Sequence, residues 1–309
     1  MLTLLDPTNI ETSESDYYGV LYWAVRMIES QAKELFKDPS IATVYQPCSD
    51  VCYDPTTDLV QQPNAPDDLV IVSQFQGQPQ SWYRSNYVYD RSGGEGIHVY
   101  IVDSGANLNH GEFIGGSDIA SRARFLHARP EVVASDDDTG GKKGHGTCML
   151  SRIGGHNFGV AKNANPVIVR LPKRPGPVNT VEDNLEGVRK VVDDIGNSNK
   201  RAIISMSWHY PRTLSNGSFT FKDINGEDAS SAHRAILRGL LRFLVSKGVT
   251  PVTGTGHDRA TSIDGFPAGF GNPNSGLNYI PELIVVGAVD ARGENMYVGT
   301  NRDAAKSLP

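Results

Sequence analysis

Residues 97–105 read IHVYIVDSG, a largely apolar, β-branched run from Ile97 to Val102 that ends abruptly at Asp103-Ser104-Gly105. A run of this kind with no polar alternation is the pattern of a strand buried on both faces, as in a parallel sheet covered by helices. An open sheet of that class gathers its functional groups at the carboxyl ends of its strands, which is where Asp103 would stand. The second constraint lies 42 residues on, where GHGTCMLSRIGG (144–155) sets His145 between two glycines at the start of a helix. Gly144 and Gly146 allow a tight turn and leave room around the imidazole. Taken singly, Asp103 reads as a strand-end turn former and His145 as a helix cap. Taken together, they are a carboxylate and a base on one rim.

The rest of the chain alternates in the same way. The pattern predicts strands at 166–171, 202–207, 249–253 and 282–289, with helices at 181–195 and 230–247 between them. Thr180 precedes the first of these helices with Asp183 at capping-box spacing, and Gly248 follows the second where a left-handed cap is favoured. Such alternation implies an α/β fold, a parallel sheet with helices on both faces, and would bring Asp103, His145, Ser207 and His257 to one rim. A hydrophobic content of 39% with 32 glycines suits a globular enzyme rich in loops. The net charge of −6 argues against nucleic acid as the main partner, and no apolar stretch approaches the ~20 residues that span a bilayer. The start, MLTLLD, lacks the basic and apolar regions of a signal peptide, so the sequence leaves the location open.

Residues 1–50 differ in character. YYGVLYWAV (17–25) and SIATVYQ (40–46) read as strands and SQAKELFKD (30–38) as a helix that Asp38-Pro39 ends, so the segment is a small α+β unit. Residues 51–86, rich in Pro, Gln, Asn and Asp, read as a linker, and 87–309 as the main domain. Three cysteines make no disulfide framework: Cys48 and Cys52 either pair or stay free, and zinc is disfavoured by the absence of further ligands beside them. Cys148, one turn beyond His145, is expected to be a small apolar residue packed beneath it.

From Tyr87 onward these segments resemble the subtilisin-like serine proteases. YDRSGGEGIHVYIVDSG (89–105) resembles that family's entry strand, HGTC (145–148) its histidine motif with Cys148 where many members have a second histidine, and FGVAKNANPVIVRLP (158–172) its next strand. IISMSW (203–208) resembles the strand beside the substrate, VTPVTGTGHD (249–258) the strand bearing the oxyanion residue, and FPAGF with IPELIVVGAVDARG (280–293) the one after. The order Asp then His is the order of subtilisin's own triad, in which the serine comes last. The resemblance implies a three-layer subtilisin-like fold and a serine endopeptidase acting on polypeptides without a resident cofactor. Asp103 would orient His145, His145 would act as general base, and Ser205, Met206, Ser207, Trp208, His209 and Gly256 would border the substrate. It also implies that residues 1–50 correspond to part of a propeptide that folds against the cleft, a second partner supplied by the chain itself; a packing unit without inhibitory role is the alternative.

Three departures stand out. His257 follows Gly256 where the family has asparagine, and loss of such an oxyanion donor costs about 10²–10³ in turnover in subtilisin itself; a ring N–H would preserve part of it. His209 stands where the family favours glycine, so its side chain would crowd an extended substrate. The nucleophile motif is missing: Gly299-Thr300-Asn301 has Asn for Ser and comes too early, and Ser307 has nothing to position it. The sequence therefore predicts a subtilase domain that is incomplete at its C-terminus, with an exposed sheet edge and low stability, or a catalytically inactive homologue that binds peptides or a partner. The acidic run Asp136-Asp137-Asp138 is read as a solvated loop, with calcium or basic substrate residues as further possibilities.

Overall fold

The computed structural model describes residues 10–15, 19–25, 29–35, 37, 59–73, 86–114, 118–130, 138, 144–172, 180–196, 198, 200–210, 230–256, 263 and 265–289. The chain forms two compact units, residues 1–57 and 58–309. In the first, strands β1 (Ile10–Ser15) and β2 (Gly19–Val25) pair antiparallel, with an irregularity between Ser13 and Glu14, and helix α1 covers Glu29–Leu35. The sequence anticipated β2 and α1 but not β1, whose IETSES alternates too weakly in hydrophobicity to announce a strand. The strand expected at 40–46 lies outside the described residues.

The second unit begins inside the stretch read as a linker. Strand β3 (Leu59–Gln62) pairs antiparallel with β4 (Tyr87–Asp90), and helix α2 (Asp67–Val72) buries Leu69 and Val70 against Tyr87. The linker reading is corrected over these residues: two adjacent apolar side chains on one helical turn suffice when a strand stands ready to receive them.

The main sheet follows. Its strands are β5 (His98–Asp103), β6 (Arg124–His127), β7 (Asn165–Arg170), β8 (Ala202–Met206), β9 (Val249–Gly254) and β10 (Ile284–Val286), in the order β10-β9-β8-β5-β7-β6 and all parallel. The helices are α3 (Ile119–Arg122), α4 (His145–Gly154), α5 (Val181–Ile195) and α6 (Ser230–Ser246). Side chains of β5 divide by parity. Val99 and Ile101 pack with Leu150 of α4, while Tyr100 and Val102 pack with Val188 and Val191 of α5 and Leu237 and Leu241 of α6. Both faces of β5 are thus covered, which is why its sequence shows no alternation. At Gly187 of α5 a Cβ would come within 2.8 Å of Val102 and Leu171, so glycine sets the close approach of helix to sheet.

Most expected boundaries hold within a residue or two. Thr180 caps α5, its hydroxyl accepting the Asp183 N–H at 3.2 Å, and Gly248 closes α6 at φ 77°. β6 and α3 are not among the elements the pattern predicts, because RFLH is half-buried at a sheet edge and α3 is one turn long. β10 is shorter than 282–289, since Pro281 and Glu282 form a turn and Pro has no N–H for the ladder.

The connections reverse direction at β5. Chain leaving β5 reaches the far strand β6, returns to β7, and then crosses to β8 on the other side. A crevice at the carboxyl end of β5 is the geometric result.

Candidate active site

Asp103 occupies that crevice, 5% exposed at the tip of β5. Its backbone carbonyl accepts the Leu171 N–H at 2.8 Å, and its Oδ1 accepts the Ser104 N–H at 2.7 Å and the Ser104 hydroxyl at 3.1 Å. His145 is the first residue of α4, and its Nδ1 lies 2.8 Å from Asp103 Oδ1 and 2.9 Å from Oδ2. A carboxylate accepts, so Nδ1 carries the proton and Nε2 presents its lone pair. Among the described residues, Asp103 is the hydrogen-bond partner of the His145 ring, whose side chain is 53% exposed.

Two contacts dock α4 on this strand end, and a third holds the turn that receives it. Gly146 N–H donates to Ser104 Oγ at 3.0 Å, Thr147 Oγ1 accepts the Asn107 N–H at 3.0 Å, and Arg170 on β7 donates through Nη1 to Ser104 O. At Gly146 a Cβ would lie 2.1 Å from Gly105 O, so no larger residue fits where the helix meets the turn. Ser104, Thr147 and Arg170 were absent from the sequence reading of the site. Their signals were present, in the Ser beside Asp103 and the Thr within HGT, but nothing in spacing alone reveals a docking role.

The hydrogen bond to Asp103 raises the pKa of His145 above its ordinary value; burial opposes this, and the charges of Asp103 and Asp138 add to it. The positive end of α4 acts the other way, disfavouring a charged ring. The bond and charge of Asp103 and the charge of Asp138 oppose that dipole, whose effect is about 0.3–1 kcal/mol.

The other predicted residues are placed as follows. Ser205 and Met206 end β8; Met206 is wholly buried and its carbonyl accepts the Thr253 hydroxyl at 3.0 Å. Ser207 is exposed, and Trp208 donates from Nε1 to Val102 O at 3.1 Å. His209 stands against Gly265, where a Cβ would be 3.0 Å from His209 Cδ2. Just beyond, Tyr210 and Phe266 exchange backbone hydrogen bonds of 3.0 and 3.1 Å. Gly256 follows β9 in a left-handed conformation, φ 93°; His257, Gly299-Thr300-Asn301, Ser307, Cys48 and Cys52 lie outside the described residues. Cys148 is exposed rather than packed beneath His145. The buried positions of α4 are Gly146, Leu150 and Gly154, a spacing of four, and residue 148 falls on the opposite face.

Asp138 is not a solvated residue: it is 7% exposed and its Oδ2 accepts from Thr147. Asp136 and Asp137 lie outside the described residues, among which there is no group of three or more His, Cys, Asp or Glu that could hold a metal ion. Among the same residues no helix is long and apolar enough to cross a membrane.

Residues 94–307, the whole span from before β5 to past β10, match the subtilase family. The chain belongs to the subtilase family. Its fungal relatives include the "Alkaline protease 1" of Aspergillus flavus, 30% identical over 250 residues that cover 79% of this chain and 54% of that protein. The "Alkaline proteinase" of Hapsidospora chrysogena is 30% identical over 61% of this chain and 39% of that protein. The chain thus spans about half the length of the curated relatives it matches. Among solved structures, a cold adapted subtilisin-like serine proteinase shares the fold with a TM-score of 0.54, at 23% identity over 77% of this chain and 69% of that one. The subtilisin-like α/β architecture expected from the motifs is therefore the fold of this subtilase.

Proposed function

We propose that this chain carries two members of the catalytic triad of a subtilisin-like serine endopeptidase, with Asp103 as orienting carboxylate and His145 as general base. The observation that carries the proposal is the Asp103–His145 pair itself, 2.8 Å apart at the sheet's topological switch point, with the second ring nitrogen left accessible. A serine hydroxyl is a poor nucleophile until a base accepts its proton during attack on the scissile carbonyl. Asp103 fixes the tautomer with Nδ1 protonated and stabilises the imidazolium that forms, which then returns the proton to the leaving amine. Ser104 does not serve as nucleophile, because its hydroxyl is turned to Asp103 and Gly146. The reaction draws its serine from outside the described residues. The substrate is a polypeptide entering beside Ser207–His209, and residues 1–50 act as a pro-region of the same enzyme.

A second reading, an inactive homologue that holds a peptide or partner without cleaving it, is favoured by one observation. The His209 ring occupies space against Gly265 beside the segment along which a substrate would run. A fluorophosphonate probe separates the two when applied to the chain and to any longer product of its reading frame. Labelling at a serine, abolished by His145→Ala, supports the protease. A product that folds, binds peptides and never labels transfers the assignment to binding.

A further inference from the structure

Peptide hydrolysis as proposed above uses Asp103 and His145 and leaves Asp138 without a role, although its side chain is buried and its Oδ2 accepts two hydrogen bonds. Asp138 Oδ2 accepts the Thr147 N–H at 2.8 Å and the Thr147 hydroxyl at 2.7 Å, and Thr147 Oγ1 in turn accepts the Asn107 N–H at 3.0 Å. The chain of bonds joins residue 138, the first turn of α4 and the turn that follows Asp103. The residue preceding the helix is Gly144, in a left-handed conformation at φ 61°, which has no side chain with which to cap it. A Cβ at Gly144 would stand 3.3 Å from Asp138 Oδ2. Asp138 therefore caps α4 from outside the helix, and places a negative charge beside the turn that begins with His145.

We propose that Asp138 is a positioning residue for His145: its carboxylate offsets the positive end of α4 and stabilises the imidazolium formed when His145 accepts a proton, while its bonds to Thr147 hold the helix start against the Asn107 turn. A buried anion at a helix start is in the favourable orientation with respect to the dipole, and a positive ring gains from the charge of each carboxylate that acts on it. Among the described residues, the charged groups around this position are Asp103 from β5, Asp138 from before α4, and Arg170 from β7, whose guanidinium is bonded to Ser104 O. The Asp138 charge acts on His145 in the same direction as that of Asp103, though behind it in size.

The inference rests on His145 being a general base, but its test needs no turnover. The His145 ring resonance of the 309-residue chain, labelled at histidine and assigned by its loss in His145→Gln, is titrated by NMR. In Asp138→Asn the isosteric amide keeps an acceptor for Thr147 and removes the charge, and the midpoint falls. In Thr147→Val the charge remains and one hydroxyl is lost, and the midpoint stays near that of the unmodified chain. Asp138→Ser, smaller and still able to accept from Thr147, gives the same reading if Asp138→Asn does not fold. An unchanged midpoint in a folded neutral variant overturns the proposal, as does an equal fall in Thr147→Val, which would reduce Asp138 to a helix cap. A lowered midpoint, with neither the chain nor any longer product of its reading frame labelling with the fluorophosphonate, would instead retire the protease reading and leave this one standing.

Discussion

The two ends of β5 carry the same chemical material to different purposes. At its carboxyl end, Asp103 meets a half-exposed imidazole and two local donors from Ser104. Toward its amino end, Tyr100 donates to Asp194 of α5 at 2.5 Å, Arg124 of β6 adds a guanidinium bond of 2.9 Å and a second, shorter contact, and Lys200 stands 3.4 Å away. Burial would raise the pKa of Asp194, but the bonds from Arg124 and Tyr100 and the charges of Arg124 and Lys200 hold it at about 2. Arg124 is held more firmly in its charged form by Asp194, and Tyr100 is pushed further from ionising by burial and by Asp194. The lesson is in the partner rather than the carboxylate. An aspartate saturated by groups that do not titrate near neutrality ties strand to helix, whereas one facing an imidazole with a free nitrogen is poised for proton transfer.

The largest expected effect tests whether the carboxyl end is chemical. In a product that cleaves peptides, Asp103→Asn should lower kcat by roughly 10⁴, because the amide no longer holds the productive tautomer, while the fold persists. Steady-state kinetics beside a thermal unfolding curve checks this. Activity kept within tenfold would reduce Asp103 to a structural aspartate like Asp194. Next in size is Gly146→Ala, whose methyl would meet Gly105 O at 2.1 Å and force α4 off the strand end. Overpacking against backbone should cost about 3 kcal/mol, read as a lower midpoint in urea, with loss of the downfield Nδ1–H resonance of His145. A stability within 0.5 kcal/mol of the parent would mean that helix and turn separate easily and that the pairing at 2.8 Å is less rigid than its bonds imply.

How much of this was legible beforehand follows the same division. β5 was readable because burial on both faces leaves a continuous apolar run, and Asp103 and His145 because each interrupts such a pattern at an element boundary. α5 and α6 announced themselves through Thr180 and Gly248, residues whose local chemistry is sufficient to mark an end. What stayed hidden depends on long-range contact. β1 and β6 are half-polar strands defined by their neighbours, and the helix in the supposed linker exists because Tyr87 covers Leu69 and Val70. Asp138 is one of three consecutive acidic residues in the sequence, and only the approach of Thr147 distinguishes it from a solvated loop. Cys148 was misplaced for a simpler reason. Proximity to His145 along the helix was taken for proximity in packing, although the buried stripe runs through 146, 150 and 154.

The smallest expected effect sharpens the comparison through pH. Asp194→Asn removes a largely buried partner of Arg124 and should cost about 2 kcal/mol near neutrality, less than a wholly buried pair because the Arg124 side chain is 37% exposed. The pH dependence carries more information than the magnitude. The folded-state pKa of Asp194 is depressed, so the stability it contributes is present above the unfolded value near 4 and is lost as pH falls through about 2. Asp194→Asn should therefore flatten the acid limb of a stability–pH curve and reach the limb nearer neutrality through His98, whose pKa the Asp194 charge raises. His145 behaves in the opposite sense: its folded-state pKa is raised, so its contribution is complete below the unfolded value near 6.5 and disappears as pH rises past the folded one. His98, at the start of β5, complicates the middle of the curve, since burial and the charges of Lys200 and Arg124 lower its pKa and make its protonation unfavourable below about 6.5. Its slope has the sign of Asp194 and falls just below 6.5, where that of His145 falls above it, so His98→Gln should remove the part of the rise below neutrality that Asp194→Asn leaves behind. Urea midpoints collected between pH 3 and 8 for the two variants and their combination decide the matter. Additive curves would mean that Asp194 and His98 titrate independently, although the Asp194 charge raises the His98 pKa, and a shift of the neutral limb that survives in the combined variant would show that charge at the structural end reaches His145 along the strand.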